Sequence, residues 1–382
     1  MTHFHTLRDF FGKWRSRSGA SACFLLLISF SSLEEGCPWD YRRSASFKSF
    51  RVHPADIYVA ESASATLGSK FGWRNPARPW GPSGGGATDI ALPTLVRGML
   101  PFDPNGELIE GTPAEVIRGP AAAYFAVPVI SDPFGGIVKA RLPGGELDGS
   151  FFGGRGASSV ALEWTGKWLY LGNFGDDSIG RYDPEDPGRQ PDIIQLPSGS
   201  GPNGLALSWN CMRLYTPLWG RSRVAVVNLE DWALDGEFAV GGVPGGLDVS
   251  PDGQQLAVTI PELNRVEIYD TFTHNLIRGI DGIPSAWDVR YDPTGGRAYA
   301  VGFTATGEGS LHALDTSRFR SSWTVPVGQS PASVEVSPDG AFAFAANFGS
   351  GDVSVVDTWK RMVIHTEPVG ARPLDTGMAW SF

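Results

Sequence analysis

Five prolines, Pro202, Pro244, Pro284, Pro331 and Pro373, open segments that begin alike, and they are separated by 42, 40, 47 and 42 residues. The clearest unit runs over 327–359. It holds an alternating stretch (Ala332–Val336), the turn Ser337-Pro338-Asp339-Gly340, a second apolar stretch (Phe342–Ala346), a Gly-rich loop and a third alternating stretch (Asp352–Val356). Proline at the second turn position fixes φ where a type I turn needs it, and glycine takes the strained end. Period-two alternation gives each strand one buried face. A unit this small cannot bury that face alone and must stack on copies of itself. A period of about 40–45 residues with about four strands per copy specifies a propeller blade.

The copies are present. Val243–Gly253 repeats the opening and Arg265–Asp270 repeats the third strand; 282–315 repeats both, with the turn at Asp292-Pro-Thr-Gly295. Segments 201–229 and 156–183 follow the same plan, with Trp209-Asn-Cys211 and Trp164-Thr-Gly166 at the turn. These units resemble the YVTN-type β-propeller repeat, most closely at Val334–Asn347 with Val353–Asp357, then at Leu247–Thr259. The resemblance covers the chain from Ala157 onward well and 50–149 poorly. It implies an all-β, seven-bladed propeller of four-stranded antiparallel blades, with six blades as the alternative. It implies little about function, because such folds host enzymes and binding proteins alike.

Of the 382 residues, 42% are hydrophobic and 19% charged, enough for a sizeable core; 49 glycines and 29 prolines suit many short strands joined by tight turns. The net charge of −10 argues against nucleic acid as a partner. The 13 tryptophans read as packing between blades, or alternatively as stacking surfaces for a ligand.

Residues 1–36 read as a leader: Arg8, Lys13, Arg15 and Arg17 precede the apolar run Ala22–Phe30, too short to span a bilayer but long enough for an export signal. Cys37 follows at a site faintly resembling a lipoprotein cleavage site, so a lipid anchor there is the one membrane attachment expected. Residues 37–49 are a linker, and 50–382 a single propeller, expected as a monomer. Asp56–Val59 fits a second strand lacking a first, and Pro373–Ser381 begins a repeat that stops at its turn. The C-terminal strand is therefore expected to pair with Asp56–Glu61, closing the ring and removing open edges. The Gly/Pro/Ser-rich stretch 62–88 reads as a loop insertion, with strands following over Ala87–Val96 and Gly106–Glu110. Another unit is expected from Ala114–Arg118, Ala121–Ile130, Gly136–Leu142 and Glu146–Phe151.

Chemistry on such a scaffold is expected where loops between second and third strands, and links between blades, surround the channel mouth. The candidates there are Trp73, Arg74, Arg78 and Trp80; Asn173, Asp176 and Asp177; Asn203; Trp219, Arg221 and Arg223; Glu262 and Asn264; Asn347; and Arg372 and Asp375. Alignment on the turns places Ala161, Ala206, Asp248, Arg290, Glu335 and Ala379 toward the axis, with Asp288 one layer higher. The run Asp, Arg, Glu reads either as a salt-bridged girdle or as a polar ligand or cation site.

The six histidines show no metal spacing, and there is no nucleophile elbow, P-loop or haem-attachment motif. Segment 172–184 with Ile193–Pro197 and Pro202–Ala206 also resembles a blade of virginiamycin B lyase-type propellers, which implies ring opening of a cyclic ester with a metal and a His base, yet no histidine stands in a suitable place. The reading is an exported propeller that binds a small molecule or protein on its loop face without cofactor or catalysis; the alternative is a lyase or lactone hydrolase with a divalent cation.

Overall fold

The computed structural model describes residues 55–61, 66–73, 88–91, 115–118, 122–127, 136–141 and 146–379, apart from 164–165, 187, 209, 211, 294, 338 and 370–372. The leader, the linker, Arg74, Arg78, Trp80, Arg372, Cys37 and the strand expected at 106–110 lie outside these residues.

Seven four-stranded antiparallel sheets are present among the described residues. In the last of them the order is Pro331–Val336, Phe342–Asn347, Asp352–Asp357, Met362–Pro368, so each strand pairs with its sequence neighbour. Five further sheets repeat this pattern. The exception is the first, where Pro373–Ala379 takes the inner place beside Ala55–Glu61, with Val59 opposite Thr376 and Ala60 opposite Asp375. The expected closure by the C-terminal strand is what the structure shows.

The inner strands of successive sheets adjoin, and Pro373–Ala379 lies between Pro331–Val336 on one side and Glu115–Arg118 on the other. The core lies at the seams. Tyr299, Val301, Leu311 and Val325 of one sheet pack on Val334, Val336 and Ala345 of the next. Leu247, Val258 and Tyr269 likewise meet Tyr215, Val224 and Val226 of their neighbour. Two-sided burial explains why central strands such as Phe342–Asn347 are buried throughout, whereas outer strands such as Leu276–Asp281 are mostly exposed. Trp168 and Trp232 sandwich the Arg181 guanidinium across one seam, each ring centre 4.6 Å from it. These two tryptophans therefore serve packing between sheets.

The stretch 62–88 needs correction. Thr66–Trp73 is a strand paired along Ala55–Glu61, and Thr88–Ala91 is the outermost fourth strand, not the third. Leu67, Phe71 and Trp73 fall on one parity of that strand with Ser69 between them, and Gly68 and Gly72 on the other. Residues 74–87, between these two strands, lie outside the described residues.

Candidate functional site

The strands Leu247–Val249, Asp288–Tyr291 and Pro331–Val336 bring Asp248, Asp288, Arg290 and Glu335 together on the inner wall. Two of the acids tie neighbouring sheets to one another. The Asp248 carboxylate accepts the Tyr291 amide of the next sheet at 2.7 Å and its own neighbour's, Val249, at 2.9 Å. Asp288, buried, accepts the Val334 amide of the sheet after that at 3.0 Å. Ionised carboxylates accepting backbone amides make strong bonds, so these contacts fix both side chains.

Arg290 reaches in both directions. Its Nη1 donates to Asp288 Oδ1 at 3.2 Å, to the Leu247 carbonyl at 3.3 Å and to the Val289 carbonyl at 3.2 Å. Its Nε lies 3.8 Å from Glu335 Oε2. The Arg290 and Glu335 side chains keep 24% and 32% of their accessible surface, so solvent reaches the space they line.

Burial works against charge on Arg290, but Asp288, Asp248, Glu335 and Asp375 outweigh it and hold the guanidinium protonated. Burial also pushes Asp288 above the usual carboxylate range, against the pull of Arg290. Glu335 is pushed up to about 8, first by burial and then by Asp375 and Asp248, with Arg290 opposing. It is thus a carboxyl that titrates near neutrality in a solvent-reached site. The corresponding positions on two other sheets are Ala161 and Ala206, which bring no charge to the wall.

The girdle and ligand readings therefore divide by residue. Asp248 and Asp288 are structural ties. Arg290 and Glu335 remain able to act on something entering the space. Asp375, expected on the loop face, is buried on the closing strand and acts electrostatically on Arg290 and Glu335.

Most of the loop-face candidates are used by the protein itself. Asn173 is buried, donating to Ser178 Oγ and accepting the Gly154 amide at 2.9 Å. Asp177, at φ 50°, accepts the amides of Gly199 and Gly201 at 2.7 and 2.8 Å, fastening the link to the next sheet. Asn264 does the same for Ser285, and Glu262 for Val243. Asn347 donates to Asp352 and Ser354 within its own hairpin. Asp176 accepts the Arg155 amide, and the amide of half-buried Asn203 donates to the Pro217 carbonyl.

Arg221 and Arg223 face Glu237 at 3.0 and 3.7 Å. Trp219 is partly exposed and edge-on to Phe174 at 5.9 Å. Trp287, beside Asp288, is also partly exposed and lies near Phe303, a feature the sequence reading missed. Trp73 ends its strand. Among the described residues, no group of three or more His, Cys, Asp and Glu is placed to hold a metal ion.

The architecture is that of propeller-type proteins, and comparison with known proteins agrees on fold. A Bacteroides fragilis protein provisionally assigned as a 6-phosphogluconolactonase superposes with a TM-score of 0.65 at 14% identity, covering 85% of this chain and 98% of that one. A Lactobacillus plantarum protein gives 0.64 at 16% identity, covering 86% and 100%. Kuenenia stuttgartiensis hydrazine synthase gives 0.60 at 15% identity, covering 69% and 88%. In sequence, Protein NirF of Stutzerimonas stutzeri is 25% identical over 153 residues, 37% of this chain and 39% of that protein. The match thus spans about two fifths of that relative's length. No family model matches the chain.

Proposed function

We propose that this protein is an exported propeller that binds a small cationic ligand, an organic amine or guanidine, in the space lined by Arg290 and Glu335, without chemistry on it. The observation that carries the reading is the surplus of carboxylate: four acids act on one guanidinium, Asp288 at 3.2 Å and Glu335 at 3.8 Å among them. A phosphorylated, anionic ligand would meet repulsion there; a cation would replace the proton on Glu335 and engage the carboxylate. Trp287, at the loop side of Asp288, offers an apolar surface to the rest of such a ligand.

Calorimetry tests this directly. Agmatine, with an amine and a guanidine, is titrated in two buffers of different ionisation enthalpy at neutral pH. Binding is expected to release a proton, and Glu335→Gln to abolish the release. Binding of 6-phosphogluconate instead, or of agmatine with no change in Glu335→Gln, would overturn the assignment.

One observation favours a second reading. A carboxyl titrating near neutrality 3.8 Å from a guanidinium is the arrangement of a general base beside an oxyanion holder, as lactone hydrolysis requires. Hydrolysis of an uncharged lactone that rises with pH toward about 8 and is lost in Glu335→Gln would select it.

A further inference from the structure

The rim on the side of the short turns is unlike the rest of the surface. Phe272 and Trp359 are 85% and 81% exposed, the highest values for large apolar side chains among the described residues. Both stand at the same point of the turn between third and fourth strands, two residues after the aspartate in Asp270-Thr-Phe272 and Asp357-Thr-Trp359. Leu276 and Met362, close behind them, are about half exposed. Nothing in the packing of these turns requires an aromatic: the same position elsewhere is Glu185, Glu230 or Ser317.

Cations accompany the aromatics. Arg278, Arg320 and Arg361 are exposed and have no carboxylate partner among the described residues. Arg318 and Lys360 are also exposed, each also paired to the aspartate of its own turn. The turn aspartates face inward. Asp357 accepts the amides of Trp359 and Lys360, Asp315 those of Ser317 and Arg318, and Asp270 those of Phe272 and Thr273. Asp252 and Asp339, in the turns nearer the axis, are likewise bonded within their turns. The outermost points of three consecutive sheets therefore present guanidinium and ammonium groups, with aromatic tips on the first and third of them, on a chain whose net charge is −10.

We infer that this rim docks on the surface of an anionic lipid bilayer. Aromatic side chains on turn tips suit the headgroup layer, and the flanking cations suit its phosphates. The tips on the neighbouring sheets, Glu185 and Glu230, carry the opposite charge, so docking is one-sided and tilts the ring. The inference is independent of the ligand proposed for the inner wall.

The test is co-sedimentation of the whole chain with phosphatidylcholine vesicles with and without phosphatidylglycerol. Binding is expected only with the anionic lipid, weakening with salt. Phe272→Ser with Trp359→Ser should reduce it by about tenfold or more, and Arg320→Glu with Arg361→Glu by at least about fivefold per charge. Because all four side chains are exposed, thermal melts of both variants should match the parent. No sedimentation with anionic vesicles, or variants that bind like the parent, would overturn the inference. So would a concentration-dependent dimer lost in the aromatic variant, which would make a second copy the occupant.

Discussion

Replacing Arg290 by methionine keeps most of the side-chain volume and removes only the charge and its hydrogen bonds. At 3.2 Å from Asp288, the pair is worth about 5 kcal/mol in gross Coulomb energy at an effective dielectric of about 20. Much of that offsets desolvation, and loss of one partner from a fully buried pair costs about 3–5 kcal/mol. Arg290 keeps a quarter of its surface, so about 2–3 kcal/mol is expected here, a fall of roughly 3–4 °C in Tm for a domain of this size.

The pH dependence separates electrostatics from packing. Burial already holds Glu335 above its ordinary 4.5, at about 8, and removing the cation raises it further. A carboxyl whose folded value is raised contributes stability below its unfolded value and loses it as pH rises through the folded one. The deficit of Arg290→Met should therefore be smaller near about pH 5 than near about pH 9, the Asp288 pair contributing at both and Glu335 only at the alkaline end. Scanning calorimetry across that range decides the matter. An equal deficit at both ends, or none at the alkaline end, would refute the view that Arg290 is held there to neutralise the surrounding acids.

Three further outcomes are expected. Arg181→Ala removes both cation–π contacts and the 2.8 Å pair with Asp192, and should lower the denaturant midpoint by the equivalent of about 1–3 kcal/mol, with lysine restoring part of it. Deleting 373–382 exposes the edge of Ala55–Glu61 and removes Asp375 from the inner wall; size-exclusion chromatography should show oligomers and calorimetry a broadened transition. His312, buried between Ser310 and Thr324, is pushed down to about 4 by burial, so it contributes stability that is lost as pH falls from about 6.5 toward 4; His312→Gln should flatten melting curves over that window.

The repeat made the architecture legible because turns, leading prolines and period-two strands recur in register, and any one of them could be checked against its copies. The same alignment found Asp248, Arg290 and Glu335, since inner-facing positions follow from pleat alone. It could not separate side chains that hold the sheets from those that face a ligand. Asn173, Asp177 and Asn347 are polar residues on a loop face, yet their bonds go to amides and side chains of this chain, a distinction that depends on backbone paths between sheets. Asp375 was misplaced for a related reason: it lies close after a link between sheets, but it already belongs to the closing strand. Thr66–Trp73 was hidden by glycines at every other inward or outward place, where pairing came from the partner strand rather than from its own composition.

The pairing of Ala60 with Asp375 joins positions more than three hundred residues apart. The inner strand of the first sheet is thus the last of the described strands to be synthesised. Every shorter nascent chain carries Ala55–Glu61 with one side open, whatever the later sheets have achieved. Completion of the ring waits until Pro373–Ala379 has been synthesised, and until then that edge is open to strand exchange with neighbouring chains on the same messenger.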